Sequence, residues 1–224
     1  LGELNGNFAF AIWDAPRREL FLARDRVGIR PLHYALTPGG LAFASEIKSL
    51  FASGLVAPEM DAVALNQVFT FWSPLPGRTP FKDVRELPAG HYLRATPQRI
   101  AVTRYWDITF APPEEQVDWP EAQLRERVLE LLRDSVRIRL RADVPVGSYL
   151  SGGLDSSGLT ALIARHFSND IHTYGIRFEE AAFDEGEHQR LMARHLGVRH
   201  HEAPVANDDI AAAFPDVVEA VFGD

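Results

Sequence analysis

The sequence predicts a two-domain α/β protein, in which an antiparallel, β-rich half precedes a parallel, doubly wound half. Residues 8–106 contain short apolar or alternating runs separated by turn residues, as consecutive antiparallel strands do. From residue 121 onward, strand-like and helix-like segments alternate, which indicates a parallel sheet with helices on both faces. We therefore predict domains at residues 1–110 and 121–224, joined by a linker at 111–120.

The first half is predicted to be mostly strand. Ala15–Arg18 and Thr37–Gly40 have the composition of turns, and each separates two apolar runs of strand length. Two other segments have apolar residues at helical spacing. The predicted strands are 8–13, 19–25, 31–36, 41–45, 91–96 and 100–106, and the predicted helices are 46–53 and 61–72.

The second half follows an acidic stretch that holds Pro112, Pro113 and Pro120, a composition typical of an exposed linker. From Glu121 to Leu140, apolar residues recur with helical period and charged residues occupy the other face. The elements after this helix are predicted as strands at 146–150, 171–178 and 199–205, and as helices at 155–167, 184–196 and from Asp208 onward.

The most informative segment is Val146–Gly158, which joins the first strand of this alternation to its helix. Gly152–Gly153 allows positive φ angles and a close approach of the backbone to a ligand. Asp155 and the two serines after it fall where a helix begins, and the unpaired N–H groups of a helix N-terminus attract anions. The segment therefore predicts a loop that binds phosphate or pyrophosphate.

This loop differs from that of the common P-loop NTPases, because it contains no lysine to contact the terminal phosphates. A carboxylate among phosphates would repel them unless a hard cation stood between. Asp155 is therefore interpreted as a Mg²⁺ ligand shared with nucleotide oxygens. The alternative is an ordinary glycine turn capped by aspartate or serine, with no ligand bound.

Ser151–Ser157 resembles the pyrophosphatase-type loop, or PP-loop, of ATP-dependent ligases that adenylate their substrates. These ligases include asparagine, argininosuccinate and GMP synthetases. The preceding Asp143–Gly147 is similar to the lead-in found in glutamine-hydrolysing asparagine synthetases and their paralogues. The resemblance implies that ATP and Mg²⁺ bind at this loop.

The first half of the chain resembles the same family. Arg24–Leu32 and Phe43–Lys48 are similar to the later part of a class II glutamine amidotransferase domain, and Leu87–His91 is similar to its closing strands. The blocks occur in the family's order, and the resemblance covers nearly all of the chain. It implies a partial α+β sandwich of the N-terminal nucleophile (Ntn) type, followed by a partial nucleotide-binding domain of the adenine nucleotide α hydrolase-like kind.

The resemblance also implies which residues bind the nucleotide. Leu150 and Ile176 match positions whose backbone contacts adenine in the family, the alternative for both being a plain core-strand role. Arg177 replaces what is often a small residue, which predicts a narrower or more polar adenine pocket. The predicted ATP and pyrophosphate site comprises Leu150, Ser151, Gly152, Gly153, Leu154, Asp155, Ser156, Ser157 and Ile176, with Asp155 as the metal ligand.

The implied function is the ATP-dependent, glutamine-hydrolysing conversion of aspartate to asparagine, a ligase reaction of cytoplasmic amino-acid biosynthesis. Aspartate attacks the α-phosphorus of Mg-ATP to give β-aspartyl-AMP and pyrophosphate, and ammonia from glutamine then displaces AMP. Two alternatives stay open. One is a paralogue that adenylates another carboxylate, such as a β-lactam synthetase, and the other is a non-catalytic nucleotide-binding module.

The cysteine count conflicts with glutamine hydrolysis, because the sequence contains no cysteine. A class II amidotransferase uses an N-terminal cysteine as its nucleophile, a role that Leu1 cannot take. None of the glutaminase catalytic residues is therefore expected here. Because Gly2–Asn7 matches a point well inside the amidotransferase domain, we expect a fragment that is inactive by itself. The alternative is a protein that depends on free ammonia.

Composition argues against several other classes of protein. The 224 residues are 46% hydrophobic and 24% charged, as expected for a soluble enzyme of one or two domains. A formal net charge of −8 argues against a nucleic-acid partner, and no apolar run suggests a membrane span or a signal peptide. The expected partners are small molecules, namely aspartate, glutamine or ammonia, and ATP. A homodimer is compatible with the sequence.

Two further clusters are interpreted as structural. His195, His200 and His201 share no face of a single element, which favours solvated positions over a metal site. The turn Arg24–Arg30 carries the charges of a phosphate cradle, but in the resembling domain this turn is a hairpin packed near the domain interface. We therefore expect neither cluster to bind a ligand.

Overall fold

The chain divides into two units. Unit 1 comprises Leu1–Ala111 together with the residues from Asp216 onward, and unit 2 comprises Pro112–Pro215. The computed structural model describes residues 1–167 and 170–222. Within these ranges, no helix has both the length and the apolar character that crossing a membrane requires.

Unit 1 contains two antiparallel sheets, as the sequence predicts. Its strands are β1 (Ala9–Asp14), β2 (Glu19–Arg24), β3 (His33–Thr37), β4 (Gly40–Ala44), β5 (Val84–Glu86), β6 (His91–Ala95) and β7 (Ile100–Arg104), and its helices before residue 111 are α1 (Ile47–Ala52) and α2 (Ala62–Phe71). One sheet has the order β1-β2-β6-β7 and the other β4-β3-β5. The sequence did not predict β5, because three residues are too few to show strand alternation.

Both sheets of unit 1 contribute to one hydrophobic core. Leu22 of β2 lies opposite Leu93 of β6 in the antiparallel register, and both side chains are fully buried. Tyr34 of β3 and Leu87 join the same cluster. Alternate residues of a strand point to one face, so these apolar positions bury one face of each sheet against the other. The Ntn type of this arrangement remains a prediction.

Unit 2 alternates helix and strand as the sequence predicts. After a 3₁₀ turn at Pro113–Glu115 come α3 (Glu121–Arg139), β8 (Gly147–Tyr149), α4 (Leu154–His166), β9 (His172–Phe178), α5 (Gly186–Leu196), β10 (Arg199–Val205) and α6 (Asn207–Phe222). The residues of α6 from Asp216 onward belong to unit 1. The three strands pair in parallel in the order β10-β9-β8. The parallel sheet is thereby confirmed.

The helices of this sheet differ from the prediction in one respect. The alternation predicted helices on both faces, whereas α4 and α5 both pack on the face that carries Thr173, and the opposite face leaves Tyr149, Tyr174 and Ile176 exposed. The strand order explains the difference. It runs from β8 to β10 without reversing, so two right-handed crossovers place both connecting helices on the same side.

A small core holds α4 in position beneath the sheet. Val136 of α3, Ile163 of α4 and Ile171 at the start of β9 form a buried cluster, with Leu140 and Val198 packed against it. This packing fixes the axis of α4, and therefore also the point at which the helix begins, beside the carboxyl end of β8.

Candidate functional site

The loop between β8 and α4 lies at the carboxyl end of the parallel strands, where open α/β sheets bind ligands. Leu150 is completely buried (0% exposed), and its N–H donates to the Tyr174 carbonyl at 2.8 Å. Gly152 then adopts a φ of +87°, and α4 begins at Leu154. The chain therefore turns from strand to helix within Ser151–Gly153.

Two serine hydroxyls hold this turn together. Ser156 Oγ accepts from the Ser151 N–H at 3.2 Å and lies 2.9 Å from Ser151 Oγ. Ser151 Oγ in turn accepts from the Gly153 N–H at 3.3 Å, and Ser156 Oγ donates to the Gly153 carbonyl at 3.3 Å. These bonds arrange the loop before any ligand binds.

The N-terminus of α4 is open to an anion. Gly153 precedes the helix and supplies no side-chain cap, and the N–H of Ser157 donates to the Gly153 carbonyl at 3.1 Å. The N–H groups of Leu154, Asp155 and Ser156 precede this bond, so they belong to the helix end that lacks intrahelical acceptors and carries partial positive charge. Leu154 and Asp155 are both exposed, and Leu154 is 89% exposed.

Gly152 allows the loop to lie directly against α5. A Cβ atom at this position would come within 2.6 Å of His188 Cβ and 3.0 Å of the Gln189 backbone nitrogen. Both the positive φ and this close approach therefore require glycine. The sequence predicted the first requirement, whereas the second depends on the packing of a helix more than thirty residues away.

The C-terminal half of β9 forms the other side of the site. Ile176 is 50% exposed, and its carbonyl accepts a hydrogen bond from Gln189 Nε2 at 3.0 Å. Leu150 and Ile176 thus lie on neighbouring strands, since Leu150 already pairs with Tyr174. The structure brings both predicted adenine contacts to the same edge of the sheet as the loop.

Sequence reasoning did not identify Gln189, although a signal was present. Gly186, Gln189 and Ala193 are the buried residues of α5, and their spacing marks the face of the helix that packs on the sheet. A glutamine in such a stripe indicates a buried amide with a specific partner.

Arg177 forms ion pairs on the face of the sheet that α5 covers. Its Nη2 lies 2.8 Å from Asp184 Oδ2, and Glu202 Oε2 lies 3.8 Å from its Nη1. Asp184 also accepts from the Gly186 N–H at 3.2 Å. The hydrogen bond from Arg177 holds the pKa of Asp184 below its ordinary value. Because neighbouring strand residues point to opposite faces, this ion pair lies on the other side of the sheet from the Ile176 side chain.

Asp155 is the predicted metal ligand, and its side chain is exposed in the first turn of α4. Across the described ranges 1–167 and 170–222, no group of three or more histidine, aspartate or glutamate side chains is arranged to hold a metal ion. A cation at Asp155 would therefore take further oxygen ligands from substrate and water.

The side chain of Arg24 holds the Arg24–Arg30 turn in place through hydrogen bonds to backbone carbonyls. The Arg24 guanidinium donates to the carbonyls of Gly28 at 2.9 Å, Arg30 at 2.8 Å and Leu87 at 2.8 Å, and it pairs with Glu86 at 2.7 Å. These contacts match the structural role expected for the turn.

The histidines occupy separate positions. His195 Nε2 lies 3.2 Å from Arg165 Nη2, and His200 Nδ1 lies 3.0 Å from Thr173 Oγ1. His201 Nε2 lies 2.9 Å from His172 Nδ1 on the exposed face of the sheet, with the two ring planes 17° apart.

Comparison with known proteins adds the family. The family model described as a glutamine amidotransferase domain matches residues 1–106, and the one described as asparagine synthase matches residues 127–222. The chain belongs to the glutamine-hydrolysing asparagine synthetase family. The family's two domains thus follow each other in the order that the sequence predicts.

Relatives in this family align over nearly the whole chain. A putative asparagine synthetase (glutamine-hydrolysing) of Mycobacterium tuberculosis is 40% identical over 224 residues, covering 97% of this chain and 34% of the relative. Asparagine synthetase (glutamine-hydrolysing) 3 of Bacillus subtilis is 34% identical, covering 96% and 37%. Amidase chyE of Penicillium rubens is 35% identical, covering 97% and 34%. The chain therefore spans about a third of the length of these relatives.

Proposed function

We propose that the chain carries the ATP-binding loop of a glutamine-dependent synthetase that adenylates the side chain of aspartate and amidates it to asparagine. The observation that carries the proposal is the Ser151–Ser157 loop, which is ordered by its own serines and opens onto an uncapped helix N-terminus at the carboxyl end of a parallel sheet. The names of the relatives from M. tuberculosis and B. subtilis support the same reaction.

The loop has the donor groups that a pyrophosphate requires. Backbone N–H groups at Leu154 and Asp155 and the hydroxyl of Ser157 would bind the β- and γ-phosphates, and Ser151 and Ser156 hold the loop in shape. Gly152 lets the loop hold this position against α5, since a Cβ there would come within 2.6 Å of His188 Cβ. Adenine would lie against the backbone of Leu150 and Ile176, at the strand ends.

Asp155 would hold Mg²⁺ together with nucleotide oxygens. A single exposed carboxylate beside a phosphate loop fits this ion, which retains water and uses few protein ligands. When bound, Mg²⁺ neutralises part of the phosphate charge and orients the oxygens.

The residues of the loop act on the charge that develops during adenylation. As the aspartate carboxylate attacks the α-phosphorus, negative charge accumulates on the departing pyrophosphate. Donors already aimed at these oxygens stabilise the transition state more than the ground state, and losing one such donor costs about 2.7–4 kcal/mol of activation free energy. Ammonia then attacks the β-aspartyl-AMP carbonyl and expels AMP.

The glutaminase step is proposed for the complete polypeptide. Residues 1–106 match the glutamine amidotransferase domain, but the 224 residues contain no cysteine and therefore no nucleophile of this class. We propose that residues outside this chain supply it and that the ammonia released reaches the synthetase domain.

A second candidate is a paralogue that amidates another carboxylate. The relatives named amidase, from Penicillium rubens and Gibberella zeae, are 35% and 34% identical to this chain, close to the value for the B. subtilis synthetase. In this alternative the loop chemistry is unchanged and the acceptor acid differs.

The deciding experiment is product analysis on the complete polypeptide with ATP, Mg²⁺, aspartate and either glutamine or ammonium. We expect AMP, pyrophosphate and asparagine with both nitrogen donors. Activity with ammonium alone would indicate that the complete polypeptide does not hydrolyse glutamine. Binding of Mg-ATP without AMP formation from aspartate would favour the paralogue, and a lack of Mg-ATP binding would favour a non-catalytic module.

Asp155→Ala tests the metal-binding role within this scheme. We expect the variant to lose AMP and pyrophosphate formation by about a hundredfold or more while glutaminase activity continues. Asp118→Ala, an exposed change in the linker, is the matched control. Pyrophosphate release at the wild-type rate in the Asp155→Ala variant would contradict the assignment.

A further inference from the structure

Gln189 is a buried polar residue at the edge of the proposed nucleotide site. It is only 2% exposed and donates from Nε2 to the Ile176 carbonyl at 3.0 Å. Because a carbonyl can only accept, the amide nitrogen must face it, which fixes the orientation of the side-chain amide. Gln189 thus holds the Ile176 carbonyl at a place where β9 continues past β8 and is paired only with β10 among the described strands.

The second amide atom of Gln189 is not satisfied. Among the described residues, its Oε1 is buried without a hydrogen-bond partner. An unpaired buried oxygen is unfavourable for folding, so it offsets part of the stability that the hydrogen bond to the Ile176 carbonyl contributes. Stability alone therefore does not explain a glutamine at this position.

Gln189 also contacts the two glycines that shape the site. A Cβ at Gly175, in the middle of β9, would collide with the Gln189 amide, and a Cβ at Gly152 would lie 3.0 Å from the Gln189 backbone nitrogen. Gly175 therefore provides the space that the Gln189 amide fills, and Gly152 lets the loop lie close to the backbone of α5 at His188 and Gln189. The same turn of α5 thus lies beside the phosphate loop and holds the Ile176 carbonyl.

We propose that Gln189 is a positioning residue for nucleotide binding. It fixes the Ile176 carbonyl and sets the spacing between that carbonyl and the loop at Gly152, so that the base and the phosphates of one nucleotide fit both at once. This inference rests on the proposed ATP site. It adds a residue that contacts neither the phosphates nor the acceptor acid.

The test replaces the amide by a side chain of similar length that cannot donate. In the complete polypeptide, we expect Gln189→Met to raise Kd and KM for Mg-ATP about five- to tenfold, the equivalent of one neutral hydrogen bond. The kcat at saturating ATP and the glutaminase rate should change little. Gln123→Met, on the exposed face of α3, is the matched control.

Gln189→Glu supplies a second readout that does not depend on the methionine variant folding. An ionised carboxylate would face the Ile176 carbonyl and repel it, whereas a protonated carboxyl can donate to it. Burial raises the pKa of such a carboxyl, so the affinity of this variant for Mg-ATP, relative to wild type, should recover as the pH falls.

The outcomes separate this inference from the function on which it rests. Unchanged ATP constants in both variants, with only a lower melting temperature, would show that Gln189 is a packing residue and overturn the inference. Failure of the wild-type protein to bind Mg-ATP would overturn the nucleotide site itself, and the positioning role with it.

Discussion

Asp25 is a buried carboxylate, 1% exposed, that organises the turn between β2 and β3. Its two oxygens accept backbone N–H bonds from Phe8 and Val27 at 3.3 Å and from Ile29 and Arg30 at 3.0 Å. Burial by itself raises the pKa of this carboxyl, but the N–H donors together outweigh burial and leave the pKa below its ordinary value. Asp25 is therefore ionised and structural.

Replacing this carboxylate should destabilise unit 1. Asp25→Asn puts an amide N–H₂ group where an oxygen accepts, so at least one backbone N–H loses its partner in a buried place. We expect the free energy of unfolding to fall by about 2–4 kcal/mol, measured by urea denaturation. Asp118→Asn, in the exposed linker, should change it by less than about 0.5 kcal/mol. Equal effects of the two substitutions would contradict the structural role.

The lowered pKa also predicts a pH dependence. Because the folded pKa of Asp25 lies below its unfolded value of about 3.9, the carboxylate contributes stability above that pH. This contribution is lost as the pH falls through the folded pKa. Melting temperatures followed from about pH 6 to pH 2 should therefore drop more steeply for the wild type than for the Asp25→Asn variant. If the melting temperatures of the two proteins fell equally with pH, the contribution of Asp25 to stability would be contradicted.

At the scale of elements, the loop and the helix that follows it contain glycines with opposite roles. Gly152 has a positive φ and no room for a Cβ, whereas Gly158, inside α4, has no neighbouring atom within 4 Å of the place that a Cβ would take. The first glycine is required by the geometry of the site. The second only weakens the helix.

These two glycines give a matched pair of substitutions. Gly152→Ala should weaken Mg-ATP binding about tenfold or more, because the loop must move away from His188 and leave its positive φ. Gly158→Ala should keep ATP affinity and raise the free energy of unfolding by about 0.5–1 kcal/mol. Calorimetric titration with Mg-ATP measures the affinities of both variants, and denaturation measures their free energies of unfolding. Equal ATP affinities of the two variants would contradict the role of Gly152 in the loop.

The sequence predicted most elements of unit 2 because their signals are local. Apolar periodicity located α3, and the Gly152–Gly153 pair with Asp155 located the loop. Two features could not be predicted from the sequence. The position of both α4 and α5 on one face follows from strand order, and Gln189 becomes part of the site only because α5 packs over Gly175. Both depend on contacts between residues that are distant in the chain.

At the scale of the whole molecule, the stretch between the two family matches is accessible to proteases. Residues 111–120 are exposed throughout, and the chain between Arg104 and Arg125 holds no lysine or arginine. We expect a glutamate-specific protease to cut first at Glu114 or Glu115, while trypsin leaves this stretch intact. Mass spectrometry of the earliest fragments checks this, and first cuts outside residues 111–120 would contradict the predicted linker.

The histidine pair on the exposed sheet face has a consequence for where protons reside. Arg199 Nη1 lies 3.3 Å from His172 Nε2, and since a guanidinium can only donate, that nitrogen must carry the lone pair. The proton of His172 therefore sits on Nδ1 and is donated to His201 Nε2, which leaves the proton of His201 on its own Nδ1. Arg199 pairs with His172 in the register of β9 and β10, so the alignment of two strands selects the tautomer of both imidazoles.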